Sequence, residues 1–159
     1  MDSGAFIVPA APTLHLLIVE DHTLIINDIR NLLSNQPCYE IVGVVSDGLV
    51  VRESWQRLSP SLVFLDLGLP GMDGSDIIHQ FIRRWKTLRI VVVTSSTDER
   101  WVRAAITAGA LAFVLKSSSR QVSLSAIQHA AIGRNYIDPA LKLATAGVRE
   151  RVVSELALM

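Results

Sequence analysis

The sequence predicts an α/β fold in which a five-stranded parallel sheet is covered by helices on both faces. Two observations support this prediction. Short runs of apolar residues alternate along the chain with segments of helical periodicity, and the runs are apolar throughout rather than at every second position. A continuous apolar run is typical of a strand that is buried on both faces. A helix between successive strands supplies the crossover connection that parallel strands require.

The first strand and helix show this pattern. A strand is expected at residues 14–19, where the apolar run ends at an acidic pair. A helix is expected at residues 25–35, because apolar residues recur there at helical spacing, and Pro37 marks its end. The second strand and helix are expected at residues 40–46 and 49–58, before Pro60.

The alternation continues to about residue 133. The remaining elements are expected in the order strand 62–67, helix 75–85, strand 90–94, a helix paced by Val102, Ala105, Ile106 and Gly109, strand 111–115 and helix 122–133. Right-handed crossovers leave few topologies open. A flavodoxin-like three-layer fold with strand order 2-1-3-4-5 and five helices fits a unit of this size.

Composition limits the classes of protein that this chain can represent. Its 159 residues suit one domain with a short appendage, and 15 basic residues balance 15 acidic ones. A net charge of zero argues against nucleic-acid binding by this chain alone, since that needs clustered Lys and Arg. Cys38 is the single cysteine, so an intrachain disulfide is excluded. The sequence has no secretion signal and no apolar run of the ~20 residues that a membrane span needs, which predicts a cytoplasmic protein.

Charged and hydroxyl side chains stand at the carboxyl ends of four predicted strands. They are Glu20 and Asp21 after the first, Asp66 in the third, Thr94 and Ser95 at the fourth, and Lys116 after the fifth. Taken singly, such an Asp is most often a turn cap, and such a Thr or Lys is structural or solvated. Because the carboxyl ends of parallel strands meet at one edge of the sheet, their joint placement predicts a functional crevice there.

The chemistry of this set favours a divalent cation and phosphoryl transfer. Three carboxylates that lie close together repel one another unless a cation lies among them. Carboxylate oxygens suit Mg²⁺ or Mn²⁺, which also accept phosphoryl oxygens as ligands. With the ammonium group of Lys116 and a hydroxyl nearby, such a site is equipped to receive a phosphoryl group on one carboxylate.

Four segments resemble the signature segments of response regulator receiver domains. They are residues 17–22 (LIVEDH), 65–74 (LDLGLPGMDG), 92–95 (VVTS) and 113–116 (FVLK). The resemblance covers about residues 14–138, and the segment around Asp66 is specific on its own. Residues 98–110 and 133–139 resemble the subfamily whose output domain is a helix-turn-helix DNA-binding domain.

The resemblance implies roles for the residues that make and hold the phosphoryl bond. It implies that Asp66 attacks the phosphorus of a phosphohistidine on a sensor histidine kinase or phosphotransfer protein and becomes an aspartyl phosphate. Glu20, Asp21, Asp66 and the backbone carbonyl of Gly68 would hold the Mg²⁺ or Mn²⁺ ion. Lys116 would pair with Asp66 before the reaction and with a phosphoryl oxygen afterwards.

The resemblance also implies how the signal is transmitted. Thr94 would turn its hydroxyl toward the phosphoryl group, with the Ser95 amide beside it, and Phe113 would swing inward as the aromatic switch residue. The altered surface would support a homodimer when phosphorylated and control transcription. Contact with DNA would come only through an output domain that this chain lacks. On this interpretation, residues 1–12 are a leader, residues 13–135 the receiver domain, and residues 136–159 a linker with the start of an output domain.

The sequence departs from the common receiver pattern at two site positions. Glu20 stands where Asp is frequent, and it keeps the charge with a longer reach. Phe113 replaces the frequent Tyr, which removes a hydroxyl but leaves a packing switch available.

Three alternative functions were weighed against a phosphorylated receiver. The first is a pseudo-receiver that binds partners without taking phosphate, but every chemical position carries a competent residue. The second is a phosphatase of the haloacid dehalogenase type, which needs a second Asp where this chain has Gly68. The third is a dinucleotide-binding enzyme, which needs a Gly-rich loop where residues 20–23 read Glu-Asp-His-Thr. The prediction is therefore a signalling protein and not an enzyme.

Four further residues, a histidine and three tryptophans, have no predicted chemical role. His22 is expected to lie at a helix start and to have no chemical role. A metal site built from oxygen ligands does not favour a ring nitrogen as a ligand. Trp55 and Trp85 are expected to pack in amphipathic helices. Trp101 lies beside the apolar stripe of its helix, and both an interface and helix-edge packing remain open for it.

Overall fold

The computed structural model describes residues 13–69, 74–84 and 88–141, and the parallel α/β fold is confirmed there. The strands are β1 (Leu14–Val19), β2 (Tyr39–Val45), β3 (Leu62–Asp66), β4 (Arg89–Thr94), β5 (Ala112–Leu115) and β6 (Tyr136–Ile137). The helices are α1 (Thr23–Leu33), α2 (Val51–Leu58), α3 (Gly74–Arg84), α4 (Glu99–Ala108) and α5 (Arg120–Ala131). Two 3₁₀ turns, Gly48–Val50 and Pro139–Leu141, complete the elements of these ranges. Where an element's bounds were predicted, they lie within two residues of the observed bounds, and those of β1 agree at both ends.

The strand order confirms the predicted 2-1-3-4-5 arrangement and extends it. Within the described residues the sheet has six parallel strands in the order β2-β1-β3-β4-β5-β6. The expectation of five strands was incomplete, because β6 lies in the segment predicted as a linker. Its two residues pair with Ala112 and Phe113 of β5. The chain therefore stays attached to the sheet beyond the predicted end of the domain at residue 135.

The core lies in two apolar layers, one on each face of the sheet. Phe113 and Val92 belong to the layer beneath α2, α3 and α4, while Phe64 and Val93 belong to the layer beneath α1 and α5. Successive residues of one strand point to opposite faces. Strands that are buried on both faces therefore read as continuous apolar runs, as the sequence predicted.

The end of α4 shows why a glycine is needed at one position of this packing. Gly109 has a φ of +116°, in the left-handed region, and its N–H closes the helix on the carbonyl oxygen of Ile106 at 3.0 Å. A Cβ atom there would lie 2.5 Å from Cδ1 of Ile82 on α3. Glycine therefore ends α4 and also lets α3 approach it closely.

Two further predictions concern membrane spans and the ends of the chain. None of the helices in residues 13–69, 74–84 and 88–141 combines the length and apolarity needed to cross a membrane. The predicted leader at residues 1–12 and the predicted start of an output domain within 142–159 lie outside the described residues. The division of the chain into leader, receiver and linker stays a prediction.

Candidate functional site

The parallel register brings the predicted site residues to one edge of the sheet. Asp66 is the last residue of β3 and pairs with Val93 of β4, and Thr94 pairs with Leu115 of β5. Glu20 and Lys116 each come directly after a strand, β1 and β5. Both carboxylates are withdrawn from solvent, with Asp66 2% and Glu20 0% exposed. The strands thus place two buried acids and a lysine at the same edge.

Lys116 binds both buried acids directly. Its Nζ donates to Asp66 Oδ2 at 2.9 Å and to Glu20 Oε1 at 3.0 Å, and its side chain is 13% exposed. Burial by itself would lower the pKa of Lys116, but the hydrogen bonds and negative charges of Asp66 and Glu20 raise it on balance. The ammonium group therefore stays charged and offsets part of the negative charge of the pocket.

The second oxygen of Asp66 is held by the turn that follows β3. Oδ1 accepts a hydrogen bond from the backbone N–H of Gly68 at 2.8 Å. A Cβ atom added to Gly68 would lie 3.4 Å from the same oxygen, in van der Waals contact. The N–H of Gly68 and the ammonium of Lys116 fix the carboxylate of Asp66 from two sides.

The acidic residues at this edge fit a divalent cation. Ligand atoms of Glu20, Asp21, His22 and Asp66 all lie within 4.8 Å of one another. Oε2 of Glu20 is buried and has no hydrogen-bond partner among the described residues. A buried carboxylate oxygen without a partner is costly, and a hard cation would satisfy it. Glu20, Asp21 and Asp66 are therefore the residues that would hold Mg²⁺ or Mn²⁺.

His22 lies in the site, although no chemical role was predicted for it. Its Nδ1 is 2.7 Å from Glu20 Oε1, 3.1 Å from Asp21 Oδ1 and 2.8 Å from Lys116 Nζ. The backbone turn after β1 explains this position, because Glu20 Oε1 also accepts from the N–H groups of Asp21 and His22. The expectation of a helix start is met, since α1 begins at the next residue. The predicted absence of a chemical role for His22 stays a prediction, because hydrogen bonds alone do not assign one. The signal available in the sequence for the location of His22 in the site was its position directly after the acidic pair.

The two predicted switch residues lie in β4 and β5 and differ from the acids in their contacts. Thr94 is buried, and its Oγ1 accepts from the N–H of Ser96 at 3.2 Å. Its carbonyl oxygen accepts from the N–H of Lys116 at 2.8 Å. The neighbouring Ser95 is exposed. Phe113 is fully buried already, so an inward swing would have to begin from another arrangement, and it stays a prediction.

The predictions for the tryptophans are met where the structure describes them. Trp55 is buried in the core, as expected of a packing residue, and Trp101 is 46% exposed on α4. Its exposure agrees with its position beside the apolar stripe but does not decide between the two open interpretations. Trp85 lies outside the described residues.

Comparison with known proteins gives a family match over most of the chain. The family described as the response regulator receiver domain matches residues 16–128. The transcriptional regulatory protein LiaR of Bacillus subtilis (strain 168) is 33% identical over 143 residues, which cover 90% of this chain and 64% of LiaR. The nitrate/nitrite response regulator protein NarP of Escherichia coli (strain K12) is 35% identical over 126 residues, which cover 79% of this chain and 59% of NarP. The chain thus spans less than two thirds of the length of either relative.

A solved structure shares the fold. A two-component response regulator of the LuxR family from Aurantimonas sp. SI85-9A1 superimposes with a TM-score of 0.77 at 26% sequence identity. The superposition covers 86% of this chain and 98% of that one.

Proposed function

We propose, from the premise that the chain belongs to the response regulator receiver domain family, that it is a switch turned on by phosphorylation of Asp66. The observation that carries the proposal is the environment of this carboxylate. Asp66 is buried at the end of a central strand, its Oδ2 is bound by Lys116, and a second buried acid with an unpartnered oxygen lies in the same cluster. This arrangement presents one nucleophilic carboxylate together with groups that neutralise charge.

The groups around Asp66 have separate tasks in this proposal. Asp66 attacks the phosphorus of the donor, and the bond between phosphorus and the donor's leaving group breaks with its electron pair on that group. The ammonium group of Lys116 is 2.9 Å from Oδ2 of Asp66. It then pairs with a phosphoryl oxygen, where it neutralises the negative charge that develops during transfer. The N–H of Gly68 holds Oδ1 and so orients the carboxylate. Glu20, Asp21, Asp66 and the Gly68 carbonyl would hold a divalent cation, which would supply further neutralisation of the phosphoryl charge.

The phosphoryl group then acts on β4, β5 and α4 through two residues. Thr94 directs its hydroxyl to the phosphoryl group, beside the amide of Ser95, and Phe113 repacks between the sheet and α4. The shift requires that these contacts differ between the two states of the domain. The changed surface supports a homodimer. This assignment rests on the position of both residues, one at the end of β4 and one in the neighbouring β5.

The partners and setting follow from the family. The phosphodonor is a sensor histidine kinase or a phosphotransfer protein in the cytoplasm. The relatives LiaR and NarP are named as regulators and are longer than the matched region, which supports an output in transcription. DNA is then contacted by an output domain outside this chain. The domain accepts phosphate without turning over a substrate, so it is a signalling module and not an enzyme.

The test is phosphorylation by a small donor in the absence of any kinase. Wild-type protein incubated with acetyl phosphate and Mg²⁺ should gain one phosphoryl group by intact mass, and hydroxylamine should remove it. Asp66→Asn should gain none, because an amide is a poor nucleophile. Asp47→Asn is the matched control, since Asp47 follows β2 at the same edge but only caps a 3₁₀ turn through the N–H of Leu49. A wild-type protein that stays unmodified with several donors would support the pseudo-receiver instead.

A further inference from the structure

The carboxylate of Asp138 is buried outside the site described above, and it holds the loop that carries Lys116. Asp138 follows β6 directly and is 1% exposed. Its Oδ2 accepts from the backbone N–H of Leu115 at 2.9 Å and from the hydroxyl of Ser118 at 2.5 Å. These two residues flank Lys116 on either side. One carboxylate oxygen of Asp138 therefore accepts hydrogen bonds from residues on both sides of Lys116.

The backbone of Asp138 and its other oxygen fix the carboxylate itself. The N–H of Asp138 donates to the carbonyl oxygen of Phe113 at 2.9 Å and continues the pairing of β6 with β5. Oδ1 accepts from the N–H of Ala140 at 2.9 Å, within the 3₁₀ turn that follows. A residue that only capped this turn would use one oxygen and point the other to solvent. Here the second oxygen is directed at the loop between β5 and α5.

Backbone hydrogen bonds also shape the loop that carries Lys116. The N–H of Ser118 donates to the carbonyl oxygen of Leu115 at 3.1 Å, which closes a tight turn around Lys116. The N–H of Lys116 donates to the carbonyl oxygen of Thr94. Asp138 adds two hydrogen bonds between this turn and the segment that follows β6. A residue after β6 is thus hydrogen-bonded to the chain on both sides of Lys116.

We propose that Asp138 is a positioning residue that holds Lys116 against Asp66 and couples the phosphorylation site to the segment after β6. The proposal rests on the proposed function where it concerns phosphorylation rate, but the contact itself does not. Coupling between two sites is reciprocal. A change in the hydrogen-bond partners of Lys116 should therefore alter the conformation of residues 136–141. Ile137 and Leu141 anchor that segment in the core layer that contains Phe113.

An amide cannot replace this carboxylate. Both oxygens of Asp138 accept hydrogen bonds from backbone N–H groups, of Leu115 and Ala140. In Asp138→Asn one of these N–H donors must face the NH₂ group of the amide, which cannot accept a hydrogen bond. One of the two backbone hydrogen bonds is therefore lost in either orientation of the amide. Ser118→Ala is a milder change that removes the hydroxyl link and leaves the backbone link in place. Ser117→Ala is the matched control, since Ser117 belongs to the same loop and is exposed.

The experiment reads the ammonium group of Lys116 directly. The sequence has only three lysines, at positions 86, 116 and 142, so ¹⁵N spectra of lysine ammonium groups are simple to assign. Without phosphodonor, the Lys116 signal should be sharp in wild type and in Ser117→Ala. The signal should weaken in Ser118→Ala. In Asp138→Asn it should be lost, because the ammonium protons then exchange rapidly with water. A sharp Lys116 signal in Asp138→Asn would overturn the proposal.

Phosphorylation kinetics supply the second readout. With acetyl phosphate, the maximal rate of Asp138→Asn should fall at least about tenfold, as expected for a misplaced catalytic group, while the Mg²⁺ concentration for half-maximal rate stays within about twofold. Equal maximal rates in Asp138→Asn, Ser118→Ala and Ser117→Ala would also overturn it. If wild type takes no phosphate while the ammonium signal responds as expected, the proposed function fails and the positioning role of Asp138 stands.

Discussion

Two groups of residues near the same edge of the sheet differ in whether their side chains contact one another. Asp66, Glu20 and Lys116 are joined by short ion pairs at 2.9 and 3.0 Å. Thr94 and Phe113, one strand or two away, have side chains engaged elsewhere: the hydroxyl of Thr94 accepts from Ser96, and Phe113 lies in the core layer beneath α4. We refer to the first three as the bond-making group and to the other two as the relay pair.

The difference separates chemistry from its transmission. In the proposed function, the contacts of the bond-making group are present before phosphorylation, as preorganised catalysis requires. The relay pair can bias a conformational change only if its contacts differ between the two states. Changes in the first group should therefore abolish the modification, whereas changes in the second should leave it in place and abolish the response.

The largest expected effect is the loss of the divalent cation that Asp21 would help to hold beside the bond-making group. Asp21→Ala should lose both Mg²⁺ binding and phosphorylation, and EDTA should have the same effect on wild type, because the phosphoryl charge is then poorly neutralised. Asp21 is exposed, so the free energy of unfolding should change by less than about 0.5 kcal/mol. Binding is measured by calorimetry and modification by intact mass.

Glu53→Ala is the control for this change, since Glu53 is an exposed acid on α2 away from the site. Phosphorylation at full rate in EDTA would show that the cation assignment is wrong.

Phe113→Ala should be the most destabilising change in the relay pair. Removing a fully buried ring should lower the free energy of unfolding by about 3–5 kcal/mol, measured by urea denaturation. The folded protein should still be phosphorylated, but the response to beryllofluoride in α4 and β5, followed by NMR, should be lost.

Phe64→Ala is the matched control for the relay. Phe64 is equally buried, but it lies in the core layer on the opposite face, beneath α1 and α5. It should be destabilised to a similar extent and keep the beryllofluoride response. If both variants keep the response, the ring of Phe113 is not part of the relay.

Thr94→Ala should separate rate from response. Phosphorylation should slow about tenfold, equivalent to ~1.4 kcal/mol, because one hydroxyl contact to the phosphoryl group is missing. The population shift caused by beryllofluoride should vanish, as measured by NMR or by dimerisation in the ultracentrifuge. Thr107→Ala, at an exposed position on α4, should match wild type in both measurements. A full beryllofluoride response in Thr94→Ala would exclude Thr94 as the relay.

The smallest expected effect is the alkaline dependence of stability due to Lys116. The hydrogen bonds and charges of Asp66 and Glu20 outweigh burial and raise the pKa of Lys116 above its ordinary value of 10.5. A raised pKa in the folded state stabilises the protein fully below 10.5, and this contribution is lost as the pH rises through the folded-state pKa. The difference in unfolding free energy between wild type and Lys116→Met should therefore stay constant up to about pH 10 and shrink as the pH is raised above 10.5. A difference that does not shrink above pH 10.5 would contradict the ion-pair assignment.

The central strands could be predicted because burial on both faces leaves a direct mark on the sequence. The run at residues 62–66 is apolar until Asp66, and that break in the pattern is itself the signal of the site. The strand β6 left no such mark. It is two residues long, and it forms because the edge of β5 is free to pair and because Asp138 anchors the turn after it. A pairing of that kind depends on tertiary contacts and not on local pattern.

The site could be predicted to the same extent and for the same reason. Asp66, Glu20 and Lys116 each stand at the end of a strand, and the parallel sheet brings strand ends together whatever their distance in sequence. The involvement of His22 depends on the backbone turn after β1, which directs its ring back toward Glu20. The role of Asp138 depends on a strand that could not be predicted.

The central claim is that the carboxylate of Asp66 takes the phosphoryl group, and borohydride trapping tests it most directly. Borohydride reduces an acyl phosphate on Asp to homoserine, so treatment of the acetyl phosphate product followed by peptide mapping identifies the modified residue. We expect homoserine at position 66, absent when the phosphodonor is omitted. A reduced side chain at Glu20 or Asp21 in place of Asp66, or a phosphoryl group that borohydride does not touch, would contradict the account.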